Sequence, residues 1–264
     1  RSILKGVTKL AAGRSLLLEC GKPMPAPRQW WDVSFVERRK GKVEDLEAEL
    51  LHVLRQAVTS RMVADVPLGA FLSGGIDSSI VVALMSELTG SGVNTFTIDF
   101  DEQRVSESQY AREIAEKYAT NHKEIKVRPA ELDLIPKLAE MMDEPFADCS
   151  LLPSYIVSRE ASKFVKVILS GDGGDELFAG YNRYQRVQDM RWVDRIPKFL
   201  RSGPSRSLAQ LLGPSRRGRG FLLKLAGSPV ERLVQDAKFF DDLSLGQLFK
   251  ERISKRDLCQ DDLL

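Results

Sequence analysis

Between residues 44 and 65 the apolar positions fall three and four apart. They are Leu46, Leu50, Val53, Leu54, Ala57, Val58 and Met62, with charged residues between them. That period is the period of an amphipathic helix. Pro67 ends it, and the pattern changes to an unbroken apolar run, 68 to 72, as in a buried strand. The alternation then repeats. A helix is predicted from about Asp77 to Leu88, stopped by Gly90 and Gly92. A strand follows over 93–100, carrying Phe96 and Ile98, then a helix from an N-capping Ser106 to Tyr118. A short strand over 124–127 precedes a mostly helical stretch over 130–142, whose main part starts at Pro136. Pro153 opens a further helix to Ser162, and 165–169 is a fourth strand.

Strands alternating with helices of this length predict an α/β fold, a parallel sheet with helices on both faces. Residues 191–264 read as a helical region cut into short pieces by Pro197, Gly203-Pro204, Gly213-Pro214 and Ser228-Pro229. Residues 1–35 read differently. Ile3, Leu4, Val7, Leu10 and Leu16 to Leu18 predict short strands, broken by Gly6, Gly13, Gly21, Pro23, Pro25 and Pro27. A segment so short and apolar cannot bury its own surface and must pack on something else.

Composition narrows the function classes. The chain has 264 residues, 43% hydrophobic and 29% charged, ordinary for a soluble globular protein. No run approaches the roughly 20 apolar residues of a membrane span, and Arg1 to Leu18 lacks a secretory core. Cys20, Cys149 and Cys259 have neither disulfide-framework nor zinc spacing, which fits a reducing cytoplasm. With His52 and His122 as the only histidines, a zinc hydrolase or a Ser-His-Asp enzyme is disfavoured. Net charge is +2, but residues 183–224 hold eleven Lys and Arg against Asp189 and Asp194. That stretch reads as a solvated face and partly as an anion-facing side. Nucleic-acid binding is the weaker reading.

Chemistry gathers where strands end. Leu72 closes the first strand, and Ser73, Gly74, Gly75, Ile76, Asp77, Ser78 and Ser79 lead into the next helix. A helix N-terminus offers unpaired N–H groups and partial positive charge, and glycines let an anion reach them. The loop is a phosphate cradle without the lysine of a Walker motif. That favours cleavage of ATP between its α and β phosphates, with the released pyrophosphate held in the loop. Asp77 beside a pyrophosphate needs a cation between them, and Mg²⁺ is the usual one. The bland alternative is a glycine turn capped by Asp and Ser. After the fourth strand come Ser170, Gly171, Asp172, Gly173, Gly174, Asp175 and Glu176, then Leu177 to Tyr181. Such an acid cluster, if buried, needs a cation or an ammonium, and its spacing fails the calcium-loop pattern. In parallel sheets ligands bind beyond the carboxyl ends of strands. The segments Ser73 to Ser79, Ile98 to Glu102 and Ser170 to Glu176 are therefore expected to meet in one crevice.

Leu72 to Ser79, the Asp143-Glu144-Pro145-Phe146 turn and Ser170 to Tyr181 together resemble the synthetase domain of the glutamine-hydrolysing asparagine synthetase family. The resemblance spans about residues 35–190 and implies the ATP pyrophosphatase fold. It implies that Ser73, Gly74, Gly75, Asp77, Ser78 and Ser79 form the pyrophosphate loop. Asp77 and Asp175 match metal positions. Leu72, Ile98, Ser170 and Gly171 match AMP-contacting positions. Asp172 matches an acid tied to acyl-adenylate formation, commonly Glu in bacterial members, and Tyr181 falls at a site position. The implied cofactors are ATP and Mg²⁺. The implied reaction adenylates a carboxylate, most simply the aspartate side chain, and transfers ammonia to give asparagine, AMP and pyrophosphate. The implied ammonia source is a glutaminase domain, and a homodimer is compatible with the resemblance. Relatives acting on another carboxylate, β-lactam-forming or surface-sugar-modifying, share these motifs. A non-catalytic nucleotide-binding fragment is the reading from a different class. The resemblance divides the chain into 1–35, the tail of a glutaminase domain, 36–190, the ATP pyrophosphatase core, and 191–264, an incomplete helical part. On this reading the chain is a fragment cut at both ends, with weak or no full synthetase activity.

Overall fold

The computed structural model describes residues 2, 4, 6–34, 38–90, 92–100, 107–146, 148–212 and 216–237. They form two compact units, 1–172 and 173–264.

The first unit begins with two short antiparallel strands, β1 (Arg14–Ser15) and β2 (Arg28–Gln29). Helix α1 (Val43–Arg61) follows, then β3 (Leu68–Phe71), α2 (Ile76–Thr89), β4 (Asn94–Phe100) and α3 (Ser108–Lys117). Next come β5 (Asn121–Val127), a 3-10 turn (Pro129–Leu134), α4 (Ile135–Met141), α5 (Leu151–Ala161) and β6 (Val167–Leu169). The four longer strands form one parallel sheet in the order β5-β4-β3-β6.

The alternation of side chains explains why both faces are covered. Ala70 of β3, Leu72 just after it and Leu169 of β6 pack with Val58 of α1, Val82 and Met85 of α2, and Ala111 and Ala115 of α3. Phe71, Phe96, Ile98 and Ile168 point the other way, toward Val157 and Ala161 of α5. This is the predicted α/β architecture. The chain runs from β3 outward to β5 and returns to place β6 on the other side of β3. The order therefore reverses between β3 and β6, and their carboxyl ends are where such folds hold ligands.

Several boundaries move, each for a physical reason. Strand β5 starts at Asn121, three residues before the predicted start, because it pairs with β4 from Asn94↔Asn121 to Phe100↔Val127. Its polar opening, Asn121-His122-Lys123, suits an edge strand and hides it from a hydrophobicity pattern. Within that opening the half-buried His122 has Nδ1 2.9 Å from the Thr95 hydroxyl. Burial lowers its pKa. Helix α2 stops at Gly90, whose φ of 79° lets its N–H reach the Ser86 carbonyl. The predicted N-cap Ser106 lies outside the described residues. The short strands expected from Ile3 to Leu18 are not found among the described residues there, apart from Arg14–Ser15. Leu4, Val7, Leu10, Leu17 and Leu18 are exposed. Among the described residues that segment forms only two-residue strands, too short to give its apolar run a pleated surface.

The second unit contains α6 (Gly174–Phe178), α7 (Asn182–Asp189), a 3-10 turn (Arg191–Arg195), α8 (Lys198–Leu211), α9 (Arg219–Ala226) and α10 (Pro229–Ala237). Gly203-Pro204 does not cut α8, which continues through Pro204. Proline costs an intrahelical hydrogen bond, and tertiary contacts offset it here. Arg201, three residues earlier, donates from Nη1 to the carbonyls of Leu225 (2.5 Å) and Gly227 (2.7 Å). Four of the eleven basic residues in the stretch, and Arg232 beyond it, are paired inside this unit. Arg201 pairs with Asp194, as does the buried Arg232, while Lys198 and Arg206 pair with Glu231 and Lys224 with Asp236. Among the described residues no helix is long and apolar enough to cross a membrane.

Candidate functional site

The loop between β3 and α2 is held by its own serines. The Gly75 N–H donates to the Ser73 hydroxyl (3.2 Å), and the two hydroxyls of Ser73 and Ser78 lie 3.0 Å apart. The Ser78 hydroxyl donates to the Gly75 carbonyl (3.2 Å) and accepts from the Ser73 N–H (3.2 Å). One consistent assignment closes the circuit: Gly75 to Ser73, Ser73 to Ser78, Ser78 back to Gly75. Ser78 is buried, so losing this network would strand polar groups. Ser79 also turns its hydroxyl back to the Gly75 carbonyl (2.7 Å). The serines thus shape the backbone. Gly75 sits at the N-cap of α2, where no side chain caps the helix. The bland reading of a turn capped by Asp and Ser requires such a cap. Without it, no side chain occupies the unpaired N–H groups of the first turn. Asp77 stands in that first turn, half-buried.

Two close approaches clamp the loop. Gly74 has φ of 81°, and a Cβ there would lie 2.5 Å from the Tyr110 Cβ and 2.6 Å from the Ala111 nitrogen. The start of α3 therefore presses on Gly74. That start is itself tied down, since the buried Ser108 donates its hydroxyl to Asp99 of β4 (3.0 Å). On the other side, a Cβ on Gly171 would lie 2.7 Å from the Ser78 nitrogen and 2.9 Å from the Asp77 Cβ. Gly171 follows β6, so the loop sits at the reversal of strand order.

Beside the loop is a cavity of about 370 Å³, walled by Phe71, Leu72, Phe96, Ile98 and Phe100, with Ser73 and Glu107 on its lining. It is apolar with a few polar groups, the usual make-up of a small-molecule pocket. Leu72 and Ile98 were expected at such a place. Phe100 falls within the expected segment Ile98 to Glu102, whereas Phe71, Phe96 and Glu107 were not expected. Phe96 could have been found, because it alternates with Ile98 and Phe100 on one side of β4. Glu107 carries no local signal beyond its nearness to a strand end. Glu102, also expected there, lies outside the described residues.

Ser170 and Asp172 follow β6, and the Ser170 hydroxyl donates to the Asp172 carboxylate (2.8 Å). In the Asp143 to Phe146 turn, Glu144 accepts from the Ser2 hydroxyl (3.1 Å) and pairs with Lys9, tying the N-terminal segment to that turn. In the second unit Asp175 lies in the first turn of α6, and its carboxylate leaves no room for a side chain at Gly180. Tyr181 donates its hydroxyl to Glu176 (2.7 Å). That bond holds the Glu176 carboxyl below the usual range and raises the Tyr181 phenol above its own. Asp77 and Asp172 thus lie in one unit, and Asp175 and Tyr181 in the other.

Among the described residues no group of three or more His, Cys, Asp or Glu gathers as a metal cluster. Asp77 and Asp175, one in each unit, are each by themselves carboxylates of the kind Mg²⁺ accepts. That ion takes oxygen ligands and commonly uses one or two carboxylates, completing its shell from phosphates and water.

The asparagine synthase family model matches residues 49–252. The chain belongs to the asparagine synthase family. It is 40% identical over 202 residues to a putative glutamine-hydrolyzing asparagine synthetase 2 of Methanocaldococcus jannaschii, covering 76% of this chain and 39% of that protein. It is 34% identical over 221 residues to the glutamine-hydrolyzing asparagine synthetase 1 of Bacillus subtilis, covering 82% of this chain and 35% of that one. A third relative, the amidase chyE of Penicillium rubens, is 28% identical over 207 residues, covering 70% and 30%. The alignments therefore span well under half of each curated relative. The loop at the strand reversal lies within the residues that the family model matches.

Proposed function

We propose that this chain is the adenylating part of an ATP-dependent amide-forming ligase, with the side chain of aspartate as acceptor. The observation that carries the reading is the clamped, uncapped loop Ser73 to Ser79 at the reversal of strand order. Its backbone N–H groups would receive the pyrophosphate portion of ATP. Leu72, Ile98, Ser170 and Gly171 would border the AMP portion, with the aromatic cavity beside them. Asp77 and Asp175 would hold Mg²⁺, which when bound neutralises charge on the leaving pyrophosphate. Asp172 and Tyr181 would act at the reacting carboxylate. A carboxylate oxygen attacks the α-phosphorus, and the bond to the β-phosphate oxygen breaks, releasing pyrophosphate. Ammonia then attacks the acyl carbon, the acyl–oxygen bond breaks with its electrons leaving on AMP, and the nitrogen loses a proton. The protein's own contribution is positioning and charge stabilisation.

In this reading residues 1–35 are the tail of a glutaminase domain that supplies ammonia, 36–190 the ATP pyrophosphatase core, and 191–264 its helical continuation. A second reading keeps the adenylation and changes the carboxylate. It is favoured by Asp172, where bacterial asparagine enzymes commonly carry Glu, and by the similarity to an amidase. Calorimetry with ATP and Mg²⁺ tests the shared core. Wild type should bind nucleotide in a metal-dependent way, and Asp77→Ala should lose the metal dependence while keeping its fold. Absence of binding in wild type, or metal dependence that survives in Asp77→Ala, sinks the proposal. Pyrophosphate release with aspartate and ammonium separates the two acceptors.

A further inference from the structure

The first turn of α3 forms the wall behind the Ser73 to Ser79 loop. The Tyr110 Cβ, the Ala111 nitrogen and the Tyr110 carbonyl carbon lie 2.5, 2.6 and 2.7 Å from where a Cβ on Gly74 would stand. Two of the three are backbone atoms, so any shift of the turn moves the wall itself. Glu107, at the N-cap, gives this turn no side-chain cap. The helix packs through Ala111 and Ala115, buried side chains of one methyl each. Such burial is non-directional and sets the depth of a helix better than its position along its axis. A directional hold comes from the buried Ser108, whose hydroxyl donates to the Asp99 carboxylate (3.0 Å). By strand register Asp99 shares a face of β4 with the buried Thr95 and Thr97, the face that α3 covers. A hydrogen bond to an ionised acceptor is about twice as strong as a neutral one. A second tie lies one turn on, where Arg112 donates from Nε (2.8 Å) and Nη2 (3.0 Å) to Glu124 of β5. Arg112 is exposed, so water screens that pair.

We propose that Asp99 and Ser108 are positioning residues of the nucleotide site. Their bond holds the first turn of α3 against Gly74, and Gly74 in turn fixes the N–H groups of the loop for the pyrophosphate portion of ATP. The ligand in this inference rests on the adenylation reading; the hold on the loop does not. Neither side chain has to touch the nucleotide, because both act through the backbone of Tyr110 and Ala111. The rival role for Asp99, a carboxylate at the end of a strand, is a further metal ligand. The two roles differ in what they require. A latch needs an acceptor oxygen, which an amide also has, whereas a metal ligand needs the charge.

Two readouts on the whole chain test this. Hydrogen exchange without nucleotide, followed by mass spectrometry, reads the peptide spanning 73–79, whose Ser73 and Gly75 N–H groups bond to hydroxyls of the loop. Calorimetry with Mg²⁺ and α,β-methylene ATP, which cannot be cleaved between its α and β phosphates, reads affinity at a temperature where thermal melts show each variant folded. Ser108→Ala should speed loop exchange and weaken the analogue, each ~10-fold, as loss of one hydrogen bond to a charged group would. Asp99→Ala breaks the same bond from the strand side and should do the same. Asp99→Asn keeps an acceptor for the Ser108 hydroxyl and should stay within ~3-fold of wild type in both readouts, with the Mg²⁺ dependence kept. Glu124→Gln loosens the second tie and leaves Arg112 in place; both readouts should match wild type. A wild type that does not bind the analogue overturns the adenylation reading, and the exchange arm then decides the hold by itself. If the analogue binds, and breaking the Ser108–Asp99 bond leaves either readout unchanged, the positioning role is overturned. It is overturned too if Glu124→Gln acts as strongly as Ser108→Ala, or if Asp99→Asn loses the Mg²⁺ dependence.

Discussion

Two glycine-rich turns in this chain look alike in sequence and are built on opposite plans. In Ser73 to Ser79 the hydroxyls of Ser73, Ser78 and Ser79 all have partners within the loop, and neighbouring backbone fills the space over Gly74. In Gly173 to Tyr181 the glycine that opens the turn also has a left-handed backbone, φ 89°, yet nothing lies within 4 Å of the Cβ it lacks. Glu176 there is exposed and bonded through one tyrosine hydroxyl. The first turn is a backbone loop in which side chains serve as braces. The second displays its side chains outward. On the proposed reading, phosphate binding needs fixed N–H groups, which the first plan would supply, and the second would leave chemically distinct side chains free for other contacts.

The sharpest way to break this comparison is to add the same methyl group to each turn. Gly74→Ala meets both a left-handed backbone and atoms of Tyr110 and Ala111 well inside contact distance. It should cost about 1–3 kcal/mol of stability and reduce ATP binding ~100-fold or more, since the loop must move to accept it. Gly173→Ala meets the backbone penalty alone, about 1–2 kcal/mol, and should leave ATP affinity within a few fold. Equal effects on nucleotide affinity, read by calorimetry beside thermal melts, would show that crowding does not distinguish the turns. Ser78→Ala is the next step down. It removes an acceptor from the Ser73 N–H and a donor to the Gly75 carbonyl in a buried place. A loss of about 1–3 kcal/mol follows from unsatisfied partners. Nucleotide affinity should fall ~10-fold with the metal dependence kept, because the loop loses a brace and not a ligand.

How much of this was legible beforehand follows from the same contrast. The four sheet strands and the loop between β3 and α2 announce themselves because buried parallel strands are continuous apolar runs punctuated by glycine. The start of β5 does not, because an edge strand tolerates Asn121 and Lys123. Residue types such as Ser, Gly and Asp could be read as a cradle. That Ser78 is a brace could not, since bracing depends on a hydrogen-bond circuit closed in space. The press of Tyr110 and Ala111 on Gly74 joins residues 36 and 37 positions apart in the sequence. No local pattern encodes that contact. Pro204 inside α8 misleads for a related reason: Arg201's bonds to the Leu225 and Gly227 carbonyls are tertiary.

The smallest expected effect lies in the displayed turn. The Tyr181 hydroxyl bond is the chief cause of the lowered Glu176 pKa, and the Glu176 carboxylate is the chief cause of the raised Tyr181 pKa. A carboxyl with a lowered folded pKa adds stability above its unfolded value and loses it as pH falls through the folded one. A phenol with a raised pKa adds stability below its unfolded value, near 10, and loses it as pH rises through the folded one. The pair is therefore intact across neutral pH and fails at both extremes. Tyr181→Phe should return Glu176 toward the ordinary carboxyl range, which NMR titration of its side-chain carboxyl carbon would read directly. Stability should hardly change, because an exposed pair is screened by water. Should Tyr181→Phe instead lower the melting temperature as far as Ser78→Ala does, the displayed turn would be braced after all, and the division between a braced loop and a display of side chains would not hold.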